Sequence, residues 1–233
     1  MTRRTMSVIL TLAAGIGMLA APAAAQQQSL NFQIGSFKPL AEASRSSNDV
    51  LIADYEYLSF DLRDLRGATV SGDWSFLVGE NLEVAIGAGY YRRVIPSVWT
   101  DLTYDDGSDI QQEITMRIVP VTALVKFLPL GGHQAIQPYI GGGLNVYFWR
   151  YSETGDFVDL SDNSIYSDRY IGTGTAVGPV ALGGIRARVS RSATIGVEGR
   201  YQWGEGKLPS GTFLTDRIDL GGVSVLGTLG YRF

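Results

Sequence analysis

The chain holds few side chains that do covalent chemistry and many that form ion pairs. It has no cysteine and a single histidine, His133. That histidine lies in "PLGGHQA" (129–135), a connection marked by Pro and Gly between two alternating segments. Serine–histidine or aspartate–histidine catalysis needs the imidazole within hydrogen-bond reach of its partners, and a short turn away from the long loops does not offer that. Metal ligation by Cys or His lacks its ligands. Two acidic runs remain: Asp101, Asp105, Asp106 and Asp109, then Glu153, Asp156, Asp159 and Asp162. Carboxylate oxygens suit Ca²⁺, but neither run matches an EF-hand loop, and both read as solvated loops with Asx turns. "GTGTAVG" (172–178) has the look of a phosphate loop, yet no helical pattern follows it. No catalytic residue, no metal site and no cofactor is expected. The other charges are isolated and of both signs: Asp73, Glu83, Arg93, Arg117, Lys126, Arg186, Arg188, Glu198, Arg200 and Arg232. Their chemistry is mutual pairing, which requires elements that aim them into one enclosed space.

Those elements are strands. The hydrophobic period is two almost everywhere. In "NLEVAIGAGYYRRV", Leu82, Val84, Ile86, Ala88 and Tyr90 share one face, and Glu83, Ala85, Gly87, Gly89, Tyr91 and Arg93 the other. In "ATIGVEGRYQW", Ile195, Val197, Gly199, Tyr201 and Trp203 oppose Thr194, Gly196, Glu198, Arg200 and Gln202. Eight such segments are predicted, at 29–38, 67–78, 82–95, 112–128, 136–150, 175–189, 193–204 and 218–233. Their connections alternate. Residues 78–81, 129–135 and 190–193 are short; 39–66, 96–111, 151–174 and 205–217 are longer and more polar.

The ends supply context. "MTRRTMSVILTLAAGIGMLAAPAAAQQQ" has Arg3 and Arg4, a short apolar run and then Ala23, Ala24 and Ala25. This is the pattern of a secretory signal peptide cleaved after Ala25. The remaining 208 residues, 26–233, are expected to form one domain with 17 basic and 23 acidic residues, a net charge of −6. That balance argues against nucleic acid as a partner. No later segment has the roughly 18 consecutive apolar residues of a transmembrane helix, yet 45% of the chain is hydrophobic. A soluble β-sandwich would hide that content and present a second face rich in solvated charge. Here the second face is glycine, small polar residues and isolated charges. Trp74, Tyr90, Phe148, Tyr201, Trp203 and Tyr231 stand near strand ends on the apolar face, as in an interfacial aromatic girdle. The fold class is therefore all-β, an eight-stranded antiparallel up-and-down transmembrane barrel.

"NLEVAIGAGYYR", "VPVTALVKFLPL", "QPYIGGGLNVYFWRY" and "LGYRF" resemble the outer-membrane β-barrel domain family, the small eight-stranded barrels of the OmpX, OmpW and neisserial opacity-protein type. The resemblance covers about residues 27–233 and speaks to fold more than to activity. It implies a Gram-negative outer-membrane location with lipid and lipopolysaccharide around a monomer. It also implies that the barrel-assembly machinery reads Tyr231 and Phe233 as an assembly signal, on a last strand that closes against the first.

An eight-stranded barrel has an interior just wide enough for side chains to fill. Arg117 and Lys126 lie on opposite parities, so a bulge near Val119–Pro120 is predicted to bring both inward and to leave Val121, Ala123 and Val125 toward lipid. The ten charges named above then form a plugging network. Gly87, Gly89, Gly141 and Gly143 are expected to make room for Tyr91, Tyr139 and Tyr147 across the lumen. The expected role is a non-enzymatic one exerted through the outer loops, in surface interaction or envelope integrity. The alternative is a narrow channel or lateral transporter of small hydrophobic solutes, with Tyr55, Tyr57, Leu58 and Phe60 lining an apolar mouth or extending the second strand.

Overall fold

A computed structural model describes residues 27–159 and 161–233; the predicted signal peptide lies outside them. The strands are β1 (Gln28–Pro39), β2 (Leu58–Ser59), β3 (Gly67–Val78), β4 (Leu82–Thr103), β5 (Asp109–Phe127), β6 (Ile136–Val158), β7 (Ile165–Arg188), β8 (Ala193–Gln202), β9 (Glu205–Lys207), β10 (Arg217–Asp219) and β11 (Gly222–Arg232). Eight of them form a closed antiparallel ring in the order β1, β3, β4, β5, β6, β7, β8, β11. Closure is made by β1 against β11, from Ser29↔Arg232 to Pro39↔Gly222 without a slip. Every long strand thus has a partner on both sides, which a sheet facing lipid requires because no water is there to satisfy a free edge.

The outer face carries the apolar parity. Leu30, Phe32, Ile34, Ile86, Val125, Ile140, Leu144, Phe148, Val225 and Leu229 are all exposed. On β6 this belt runs from Ile136 to Phe148 and then gives way to Arg150, Ser152 and Thr154. β4, β5, β6 and β7 have 22, 19, 23 and 24 residues, against the 9–11 or so that cross a bilayer. They therefore rise beyond the belt. Most of 96–111 and 151–174, expected as loop, is ladder: β4 and β5 pair up to Thr103↔Asp109 past a shift between Val98 and Thr103, and β6 and β7 up to Val158↔Ile165. The alternation persists there in Thr, Ser, Tyr and Arg, which hydropathy alone does not mark as strand.

The expected bulge at Val119–Pro120 does not form. Ile118↔Trp149, Val119↔Phe148, Pro120↔Tyr147 and Val121↔Val146 run in one unbroken register with β6. Pairing with β4 stops at Ala88↔Val121 and resumes in the same register at Tyr91↔Ile118. Proline removes a donor there without adding a residue to the strand. One parity therefore holds along all of β5. Lys126 is buried inside, and Arg117 stands outside with Val121, Ala123 and Val125.

The first long connection folds down into the mouth. The short helix Val50–Asp54 is capped by Asp49, whose Oδ1 accepts the Leu51 N–H at 2.9 Å. Oδ2 of Asp49 accepts Arg45 Nη1 at 2.9 Å and the Asp219 N–H at 2.6 Å, which ties the loop to β10. Val50, Leu51 and Leu65 are fully buried against Ile114, Ile118, Tyr147 and Ile218. Leu58–Ser59 pairs with Val98 and Trp99 of β4, so this stretch does not extend β3. A second, smaller apolar layer of Leu124, Leu128, Tyr139, Val180 and Leu182 lies toward the short-turn end.

Closure has a direct test. Refolded protein run on an SDS gel without boiling is expected to migrate at a different apparent size from the boiled sample; coincident bands would sink the closed barrel.

Candidate functional site

Below the mouth the lumen is ionic, with Leu124, Tyr139 and Leu182 of the second cluster interleaved among the charges. Glu83 on β4 is approached by Lys126 Nζ at 3.4 Å and clasped by both terminal nitrogens of Arg186. Arg186 Nε donates to Gln137 Oε1 at 2.7 Å. Asp73 accepts from Asn31 Nδ2 at 2.8 Å and from Gln33, with Lys126 at 3.8 Å and Arg200 at 4.0 Å. Glu198 accepts from Tyr139 Oη at 2.9 Å and pairs with Arg200, whose Nη2 reaches Gln33 Oε1 at 2.9 Å. Three carboxylates and three cations thus form one connected, neutral set. Lys126 and Arg186 also lie over the Tyr139 ring, 5.5 and 5.7 Å from its centroid. Strand alternation aims these side chains inward from β3, β4, β5, β7 and β8, and the closed ring brings them within reach of one another.

The other four charges of the expected network are placed differently. Arg232 is inside but bonds Gln137 and the Gly132 carbonyl, not a carboxylate. Arg188 keeps the inward parity at the short-turn mouth and donates to the His133 carbonyl at 2.8 Å. Arg93 lies exposed at the long-loop end, donating to the Asp64 carbonyl at 2.6 Å. Arg117 is outside the wall. Strand parity sets the face a side chain takes but not its height along the barrel, and Arg93 and Arg188 lie beyond the enclosed part.

Room for the lumenal aromatics comes from other glycines than those expected. A Cβ at Gly184 would come within 2.6 Å of the Tyr139 ring, one at Gly204 within 2.6 Å of Tyr147, and one at Gly206 within 2.5 Å of Trp149. Gly87, Gly141 and Gly143 instead face the backbone of neighbouring strands. They permit close strand approach, and the aromatic rings are held elsewhere.

Above the belt lies a second group that alternation did not reveal. Tyr151 Oη, fully buried, donates to Asp54 Oδ2 at 2.7 Å, and Glu153 is buried beside them on β6. Burial pushes the Asp54 carboxyl well above the usual carboxylate range, reinforced by Glu153 and Asp49 and partly offset by the Tyr151 bond. Burial likewise raises Glu153. Glu153 is therefore not part of a solvated loop; it borders a cavity of about 330 Å³ between β4, β6, β7 and residues 211–214, lined by Tyr57, Trp99, Phe157, Tyr166, Tyr170 and Phe213. Gln112 and Glu153, also on its wall, each keep one buried oxygen without a hydrogen-bond partner. The cavity suits a small, largely apolar or aromatic molecule bearing a hydrogen-bond donor. Of the residues expected near such a mouth, Tyr57 and Leu58 line it, while Tyr55 stacks on Phe60 at 4.5 Å away from it. Asp106, Asp159 and Asp162 each accept a backbone N–H two residues on, the geometry of Asx turns.

No protein-family model matches the chain, and no curated protein matches it in sequence. Among solved structures it is similar to the outer membrane protein OprG from Pseudomonas aeruginosa: 13% identity, 90% of this chain and 96% of that one, TM-score 0.51. It also aligns with neisserial surface protein A, at 11% identity, 90% and 99% coverage and TM-score 0.47. The outer membrane protease OmpT from Escherichia coli aligns at 10% identity, 91% and 98% coverage and TM-score 0.39. The chain has the fold of the small eight-stranded outer-membrane β-barrels.

Three outcomes follow from this geometry. Glu83→Gln leaves Arg186 without its carboxylate and Lys126 with Asp73 alone, and is expected to lower unfolding stability by about 3–5 kcal/mol, read from urea titration in lipid vesicles; an unchanged midpoint would refute the network. Gly184→Ala, which crowds Tyr139, is expected to cost about 1–3 kcal/mol in the same assay, whereas Gly199→Ala, with only open space and a distant carbonyl nearby, leaves it unchanged. Raised carboxyl pKa values mean that the folded mouth binds more protons than the unfolded chain, so its stability is greatest at acid pH and falls as pH rises through the shifted range. Amide protection of Val50–Asp54, corrected for intrinsic exchange, is expected to drop as pH rises through about 7, where Glu153 titrates, and to lose most of that dependence only when Asp54→Asn is combined with Glu153→Gln; flat protection in the parent protein would overturn the assignment.

Proposed function

We propose that the chain is an integral protein of a bacterial outer membrane, exported by a cleaved signal peptide, with its lumen sealed and its activity exerted at the long-loop end. The observation that carries this is the double seal: fully buried Val50, Leu51 and Leu65 fill the mouth above a neutral, fully paired ionic layer. A plug of this kind leaves the outer surface of residues 40–66 and of the tall β4–β7 walls as the part that meets a partner, in surface interaction or envelope integrity. A non-enzymatic role is favoured by the position of His133, which sits in the turn at the opposite end from the cavity.

The cavity beside Trp99 and Phe213 supports a second reading, in which small apolar solutes enter there and pass the wall or lumen. Planar-bilayer recording separates the two. A silent bilayer is the expected result, with the intact protein and also once residues 45–60 are replaced by a Gly-Ser linker, because the ionic layer below still closes the lumen. Steady openings in the unaltered protein would overturn the sealed reading and promote the conduit.

A further inference from the structure

Four arginines stand on the outside of the wall where the lipid belt ends. Arg92 of β4, Arg117 of β5 and Arg150 of β6 are direct cross-strand partners and form one row. Arg169 of β7 faces Thr154 of β6 farther up, and all four border one concavity of about 360 Å³. Each member of the row lies one outward step beyond the belt: Tyr90 precedes Arg92 on β4, Val119 follows Arg117 on β5, and Phe148 precedes Arg150 on β6. The row is therefore at the membrane interface on the long-loop side.

Such a row is unfavourable by itself. Like charges directly opposite on a sheet repel. Glu113 is the one carboxylate lining the concavity. Among the described residues none of the four guanidinium groups makes an ion pair or hydrogen bond; Arg169 uses only its backbone N–H, toward Asp168. In the lumen every carboxylate has its cation, so this uncompensated positive charge is a local departure from how the rest of the barrel treats arginine. Guanidinium forks match phosphate oxygens in two-point contact. Thr115 and Thr154 add hydroxyls to the same surface, and directly below lies apolar wall able to receive acyl chains.

We propose that this concavity binds the phosphate groups of a phosphorylated glycolipid of the outer leaflet, with its acyl chains laid along the wall beneath Tyr90 and Phe148. A lipid headgroup is favoured over a dissolved anion because charge and belt are contiguous on one face. The proposal rests on the outer-membrane reading above.

The test uses the full barrel refolded in zwitterionic micelles and titrated with purified lipid A carrying both phosphates, or enzymatically dephosphorylated. Removing the phosphates, or combining Arg92→Gln, Arg117→Gln and Arg150→Gln, is expected to weaken binding by about tenfold or more. The triple variant is also expected to unfold no more easily than the parent in phosphatidylcholine vesicles, since it loses a repulsive row; a merely structural role would lower its stability. Equal binding by the parent and the triple variant would overturn the site, and displacement of lipid A by millimolar inorganic phosphate would overturn its lipid character. If the triple variant does not fold, Arg117→Gln alone is read against the salt dependence of the parent, where salt-independent binding refutes the proposal. Failure of the parent to give a heat-sensitive gel shift would remove the outer-membrane reading; a normal shift with phosphate-independent lipid binding removes only this inference.

Discussion

The ladder between β1 and β11 is the contact on which the rest depends. A sheet in hydrocarbon cannot leave an edge open, because each unpaired N–H or C=O there costs several kcal/mol. Pairing Ser29 with Arg232 and Pro39 with Gly222 removes the last edges and, in doing so, defines an inside. Enclosure then makes a charged residue on the inner parity tolerable. Without the ring, Asp73, Glu83 and Glu198 would lie on one side of an open sheet with nothing across from them.

Enclosure also explains the two kinds of filling. Eight strands leave space for side chains and little else. At mid-depth that space is taken by charges that must satisfy one another, since an unpaired buried ion is costly and a paired one with its remaining hydrogen bonds met is not. Higher up, where β4–β7 rise clear of the belt, the ring is lined by Ile95, Ile114, Met116, Ile118 and Tyr147. The first loop packs onto them, with Val50 and Leu51 held in place by the Asp49 contacts to Arg45 and β10.

The same logic gives the carboxyls of the mouth and the outer arginines their character. Asp54 and Glu153 are buried beside Tyr151 with no cation paired to them among the described residues, so burial governs their ionisation. Arg92, Arg117 and Arg150 have the opposite condition, exposed to the interface yet next to each other. Each group departs from the paired pattern of the lumen, and each lies outside the thickness of the lipid belt.

Much of this molecule can be read from period two. The eight strands, the short and long connections, the outward aromatics and most of the lumenal charges follow from alternation, because a strand in a barrel has only two faces and lipid selects one of them. Alternation breaks down where both faces carry polar residues. Above the belt, Thr, Ser and Tyr on either side made 96–111 and 151–174 resemble loop, although the ladder continues through them. On β5, Arg117 and Lys126 lie on opposite parities and each is a cation, so composition alone does not say which is inside; the unbroken register with β6 does. The apolar loop residues that fill the mouth have no period at all, and Asp54 meets Tyr151 across 97 positions of sequence. The sequence by itself therefore determined which residues share a face, since that is a property of each strand's own backbone. Only the tertiary structure decided which faces meet, at what height and with which loop between them, because those depend on register and closure between segments far apart in the chain.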